Sequence, residues 1–259
     1  MFKIVVGKNP HAIFVILYYH TVKSHQKQAF AKQMDYLVRW TQPLGMESSF
    51  SLENRKYYTA VTFDDGYQSV LGNALPELLK RKIPSTIFIV TGLFGNSPSW
   101  VLDSNHPFSI EKIMTKDQLI HLNQESITVG SHSVSHPDLS KLNGDQIKTE
   151  LLQSKSTLEA LLKKKVELMS FPHGKYNPLV IQIAKEIGYT RVFSISPTLS
   201  TMNEEDFVYG RFNAEPTDWP IEFVLKIHGA YRWLYFAFKF KGYIKSMFHL
   251  RKNIFHISF

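Results

Sequence analysis

Cysteine is absent from the 259 residues. That excludes a disulfide framework, a thiolate metal site and a cysteine nucleophile. Acidic residues are absent after Glu222, while Lys226, Arg232, Lys239, Lys241, Lys245, Arg251 and Lys252 all fall there. In a chain of net charge +8, this acid-free tail suits an anionic partner such as a phospholipid surface. Its interleaved aromatic and basic residues would also suit single-stranded nucleic acid. Nothing else supports that partner, and none is expected. Long apolar runs are missing too: Ala12 to Tyr19 (AIFVILYY) is too short to span a bilayer. The opening MFKIVVGKNP lacks the apolar core and small-residue cleavage site of a signal peptide. The expectation is a cytoplasmic protein whose tail packs as helices on the rest of the fold or, as the second reading, contacts a lipid surface and makes the protein membrane-associated. No repeat or low-complexity segment breaks the chain.

What is present alternates. Strand-like runs at Ala12–Tyr19, Tyr58–Phe63, Ser85–Val90, Ile127–Gly130, Leu168–Phe171 and Arg191–Ile195 are separated by helix-period segments. The helices are expected over Phe30–Trp40, Val70–Lys82 (interrupted at Pro76), Lys116–Asn123 with Thr115 as cap, Gly144–Lys164, and Pro178–Ile187 stopped by Gly188. Repeated strand–helix units predict an α/β fold, a distorted (β/α) barrel, with its chemistry at the C-terminal ends of the strands. Residues 1–215 are expected to form the catalytic domain and residues 216–259 a basic aromatic extension.

Polar motifs fall at those strand ends. Thr62-Phe63-Asp64-Asp65-Gly66-Tyr67 ends a strand in two adjacent carboxylates. Successive residues leaving a strand point in different directions, so one carboxylate can bind a metal while the other faces the reacting centre. An Asp pair before a helix can equally be a cap; the full TFDDG is more specific. Gly130-Ser131-His132-Ser133-Val134-Ser135-His136-Pro137 spaces two histidines for one face of a helical turn. With 11 histidines in the chain that spacing alone is weak. Two imidazoles and a carboxylate leave open positions for water, the pattern of a catalytic zinc site, although such ligands also take harder ions. The Ser170–Asn177 segment brackets a turn with Pro172 and Gly174 that can aim a backbone N–H at a substrate oxygen. His20 ends the first strand, where it can reach the same mouth.

Together these segments resemble the polysaccharide deacetylase family (NodB homology, carbohydrate esterase family 4) over residues 12 to 212. The resemblance implies a distorted barrel and hydrolysis of acetyl groups on N-acetylated sugars of a surface polysaccharide or its precursor. It implies Asp64 as general base, and Asp65, His132 and His136 as ligands of a divalent ion, with Zn2+ expected. It implies a groove wall from Phe171, Pro172, His173 and Gly174, with the His173 N–H at the oxyanion. Tyr67 and Arg211 are placed with these substrate-facing residues. Two departures stand out. Ser170 occupies a position where many members carry arginine, and His173 one where tyrosine is usual. Arg211, in YGRF, is a candidate to supply the replacement charge. The family's late catalytic histidine has a candidate in His228 of LKIH. The opening LYYHTV, however, resembles the permuted form found in surface-glycan deacetylases, which makes His20 the expected general acid. The same groups would serve an O-acetyl esterase. The departures also leave open an inactive sugar-binding relative, against which the retained Asp64 and three ligands argue.

Overall fold

The computed structural model describes residues 12–47, 52–122, 125–200 and 206–235. Its strands are β1 (Ile13–Tyr19), β2 (Gln42–Pro43), β3 (Tyr57–Phe63), β4 (Ser85–Ile89), β5 (Ile127–Ser131), β6 (Leu168–Ser170), β7 (Arg191–Phe193), β8 (Val208–Tyr209) and β9 (Phe212–Asn213). Its α-helices are α1 (Lys27–Trp40), α2 (Gln68–Asn73), α3 (Leu75–Lys80), α4 (Lys116–Ile120), α5 (Gly144–Leu162), α6 (Pro178–Glu186) and α7 (Pro220–Ile227). The strands pair in parallel in the order β8-β7-β6-β5-β4-β3-β1-β9, with β2 beside β3.

The two ends of that sheet are neighbours in sequence. β8 pairs with β7, β9 pairs with β1, and only Gly210 and Arg211 separate β8 from β9. One short segment therefore straps the curled sheet into a barrel and carries Arg211 across the seam. Gly210 is required there, because a Cβ would collide with the Ser196 carbonyl oxygen and Thr198 Oγ1. Gly210→Ala is expected to cost about 1–3 kcal/mol, read by urea denaturation. Unchanged stability would contradict this close packing.

Side-chain alternation sorts the core. Phe14, Ile16, Tyr58, Ala60, Phe88, Leu168, Phe193 and Tyr209 pack together inside the barrel. Their strand neighbours Val15, Leu17, Val61, Phe63, Ile87 and Ile89 face the surrounding helices. The helix ends follow local chemistry. Thr115 and Asn143 each form a capping box, and Asn177 accepts from the Val180 N–H with Pro178 in the first turn. Pro76 does interrupt its segment. The chain breaks at Ala74, and Pro76 enters the first turn of α3, where its missing N–H costs nothing. Other boundaries move by a few residues: α1 begins at Lys27, and α4 ends at Ile120.

From 216 onward, α7 packs on α1, with Phe223 and Ile227 in the main core. The packed layer thus continues past residue 215. Most of the basic aromatic tail, residues 236–259, lies outside the described residues, and with it the expected lipid contact. No helix among the described residues is long and apolar enough to cross a membrane.

Candidate active site

The alternation that builds the core also aims the site. Asp64 continues the inward phase of Tyr58, Ala60 and Thr62; His132 continues that of Gly130; Ser170 follows Leu168; Arg211 follows Tyr209. Four strand ends thus send polar side chains into one barrel mouth. Asp65 breaks the phase, because its φ of 68° turns the chain, and its carboxylate swings toward the histidines. Gly66, at φ 74°, completes this turn where a Cβ would strike Ile89.

Asp65 Oδ1 lies 3.4 Å from Nε2 of both His132 and His136. The three ligand atoms lie within 4.8 Å of one another, and all three residues are buried. The His-x-x-x-His spacing does not sit on a helical turn, as the sequence suggested. It spans a loop in which Ser133 and His136 take φ values of 65° and 60°. The loop is tied down by Glu150, whose carboxylate accepts from the Val134 and Ser135 N–H groups, and by Ser133 Oγ, which accepts from the His136 N–H.

Asp64 is held separately. Arg211 grips it with two parallel hydrogen bonds, Nη1 to Oδ1 and Nη2 to Oδ2, each 2.7 Å. The guanidinium is fully buried. It also donates to Thr62 Oγ1 (3.0 Å), Ser170 Oγ (2.7 Å) and the Ser194 carbonyl (3.2 Å). Tyr18, Phe88 and Phe193 surround it with ring faces at 4.9, 5.4 and 5.8 Å. The Ser170 position, where a family arginine would stand, therefore accepts from an arginine that arrives from the link between β8 and β9.

With both histidines neutral, as metal ligands must be, two buried carboxylates would face one buried guanidinium, and the unpaired charge would rest on Asp65. Its Oδ1 has no hydrogen-bond partner among the described residues. Burial acts to raise the Asp65 carboxyl, but His132, His20 and His136 outweigh it and hold it well below the usual range. Burial also acts to raise Asp64, and Arg211 and then His132 bring it below its ordinary value. Burial, reinforced by His132, pushes His136 down to about 3. Its imidazole is therefore neutral near pH 7, the form that ligates metals. His132 places Nδ1 2.8 Å from the Ser170 carbonyl oxygen, which fixes the ring and aims Nε2 at Asp65. Burial acts to lower its pKa, but Asp64 and Asp65 outweigh burial and raise it, so a bound ion would take the place of a proton shared with the carboxylates. An orphaned carboxylate oxygen and two converging Nε2 atoms fit a divalent ion.

This group floors a cleft of about 410 Å³. His20, His173 and Gly174 border it, and Trp100, Val101, Leu102 and Phe108 form one wall. The other residues expected to face substrate sit elsewhere. Phe171 and Pro172 are buried behind the turn. Tyr67 is buried against Phe108, 5.5 Å between ring centres, and Arg211 lies beneath Asp64. None of these four is among the residues lining the cleft. His228 is remote: its ring packs on Tyr57 (4.7 Å) and Trp40 (6.1 Å). Tyr57 begins β3, whose far end delivers Asp64, so His228 lies about 20 Å from the carboxylates. The wall from Trp100 to Phe108 was not foreseen. Its only trace in the sequence is a pair of aromatic residues in a segment without periodicity.

The polysaccharide deacetylase family model matches residues 52–192, more than half of the chain. The chain belongs to the polysaccharide deacetylase family. The putative polysaccharide deacetylase YxkH of Bacillus subtilis (strain 168) is 24% identical over 212 residues, covering 78% of this chain and 71% of that protein. Peptidoglycan-N-acetylmuramic acid deacetylase PdaA of the same strain is 28% identical over 66% of this chain and 57% of its own length. Poly-beta-1,6-N-acetyl-D-glucosamine N-deacetylase of Staphylococcus aureus (strain MRSA252) is 30% identical over 58% of this chain and 52% of its own. The chain thus spans little more than half of the last two. Among solved structures, deacetylase PplD of Streptococcus pyogenes superposes with a TM-score of 0.68 at 21% identity, covering 83% of this chain and 98% of that one. IcaB from Ammonifex degensii gives 0.68 at 22% identity, covering 84% and 99%. These structures show that the fold is that of the family's deacetylases. His20 and Arg211 both lie outside the stretch matched by the family model, and strand pairing brings them to it.

Proposed function

We propose that the protein is a metal-dependent hydrolase that removes acetyl groups from N-acetylated sugars of a surface polysaccharide or its precursor. The observation that carries this reading is the convergence of buried Asp65, His132 and His136, with ligand atoms within 4.8 Å of one another, beside a carboxylate locked by Arg211. The relatives described as N-acetylglucosamine and N-acetylmuramic acid deacetylases support the substrate class.

Asp65, His132 and His136 would hold the ion, and zinc suits a two-nitrogen, one-oxygen donor set. When bound, the ion supplies Lewis acidity toward water and the acetyl carbonyl. Asp64 accepts the proton of the attacking water. Arg211 keeps that carboxylate ionised and aimed, at some cost in basicity. The His173 N–H donates to the carbonyl oxygen as negative charge gathers there. His20 delivers a proton to the sugar nitrogen as the C–N bond breaks, leaving acetate and an amine.

The reading is tested with N-acetylglucosamine oligomers and N-acetylmuramic acid glycans, following acetate release and the appearance of a free amine. Acetate with an equal yield of amine is expected. Acetate from O-acetylated sugars alone would mark an esterase instead. His20→Ala is expected to lower kcat/KM by about 10²–10⁴-fold, whereas His228→Ala leaves it nearly unchanged. The reverse pattern in steady-state kinetics would move the acid to the other histidine.

A further inference from the structure

Metal-ligating histidines ordinarily donate their second ring N–H to a fixed acceptor, which sets the tautomer and the ring plane. His132 follows that rule through the Ser170 carbonyl. His136 does not: its Nδ1 is buried and has no hydrogen-bond partner among the described residues. What contacts its ring is aromatic. Trp100 stacks on it with centroids 4.0 Å apart and planes 24° from parallel, and His173 meets it edge-on at 4.5 Å.

Trp100 belongs to the segment joining β4 to α4, and that segment is pinned at its neck. The Gly95 N–H donates to the Ile113 carbonyl (3.1 Å), the Ile113 N–H to that of Asn96 (2.9 Å), and the Gln68 N–H to that of Lys112 (2.8 Å). The same segment sends Phe108 onto His20, with centroids 5.4 Å apart and planes at 30°. It therefore touches a ligand of the ion site at one point and the histidine of the opposite rim at another.

We infer that Trp100 is the positioning residue of His136, and that its indole face fixes the plane of this imidazole as the Ser170 carbonyl fixes that of His132. An imidazole without an anchored second nitrogen is free to rotate about its side-chain bonds and carry Nε2 away from Asp65. A stacked indole removes that rotation and keeps water from Nδ1. The loop that walls the cleft thereby also sets how tightly the ion is held. The inference rests on the metal-site reading above and adds a residue to it that no sequence motif marks.

The test is the zinc affinity of the full chain, without substrate, by competition with a chromophoric chelator. Trp100→Ala is expected to weaken zinc binding about 10- to 100-fold. Trp100→Phe, which keeps a stacking ring, recovers most of it. Ile110→Ala, on the same loop but 81% exposed, leaves affinity unchanged. Should Trp100→Ala not fold, Trp100→Leu fills the space without an aromatic face and is compared with Trp100→Phe. Equal affinity in wild type and the non-aromatic variant overturns the inference alone, as does an equal loss in Ile110→Ala. A wild-type chain that binds no zinc removes the metal-site reading, and this inference with it.

Discussion

Asp64→Asn is expected to lower kcat by about 10²–10⁴-fold and to leave the proposed divalent ion bound. The reason is a division of labour between adjacent carboxylates. Asp64 follows the inward phase of β3 and meets Arg211 at 2.7 Å through both oxygens. Asp65 turns away at φ 68° to meet the two imidazoles. The amide removes the proton acceptor while Asp65, His132 and His136 stay in place. It also deletes one of the two negative charges, so the ion is held less tightly although still at one per chain. Asp65→Ala, by contrast, loses both ion and turnover. Steady-state kinetics with elemental analysis of the same samples separates the two. Near-normal turnover in Asp64→Asn would remove it as the base.

Arg211→Met has the largest expected effect on stability. Removing one partner of a buried pair leaves an uncompensated charge and costs about 3–5 kcal/mol. In the wild type the Asp64 carboxyl lies below its ordinary value. Its contribution is therefore present above the unfolded pKa, near 4, and lost as pH falls through the folded one. Without the guanidinium, burial dominates and the folded pKa rises above the unfolded one. The sign reverses: the penalty stands at neutral pH and is relieved as acidification protonates the carboxyl. The stability gap between variant and wild type should narrow from pH 7 toward pH 5 in urea denaturation, and the acid limb of the pH–rate profile should move upward. Arg211→Lys retains the charge without the planar fork and recovers part of each effect. A gap that is constant with pH would show that Arg211 acts through packing alone.

Much of this site was legible because strand alternation and motif chemistry are local. TFDDG at the end of an apolar run places two carboxylates at a barrel mouth, and the strand before Gly130 places His132 beside them. Ser170 at a position suited to arginine pointed to a charge arriving from elsewhere. The supplier, Arg211, sits between two-residue strands split by Gly210, too short to carry any periodicity, and its role follows from the seam it crosses. In the sequence, His20 is preferred to His228 on the resemblance of its neighbours, LYYHTV. The fold adds a physical reason: β1 pairs with β3 and β9, which leaves His20 at the mouth, while α7 carries His228 down to Tyr57. The loop conformation of His132 to His136 was hidden for another reason. A four-residue spacing reads as a helical turn, and positive φ values at Ser133 and His136 leave no mark in residue types other than glycine or asparagine. Trp100 was out of reach, since its partner is distant in sequence and the loop between them has no regular pattern.

The central claim is that Asp65, His132 and His136 hold a divalent ion. Elemental mass spectrometry of the purified wild type beside His132→Ala tests it most directly. The account predicts close to one ion per wild-type chain and none in the variant. No ion in the wild type after reconstitution with zinc, or the same content in both proteins, would contradict it.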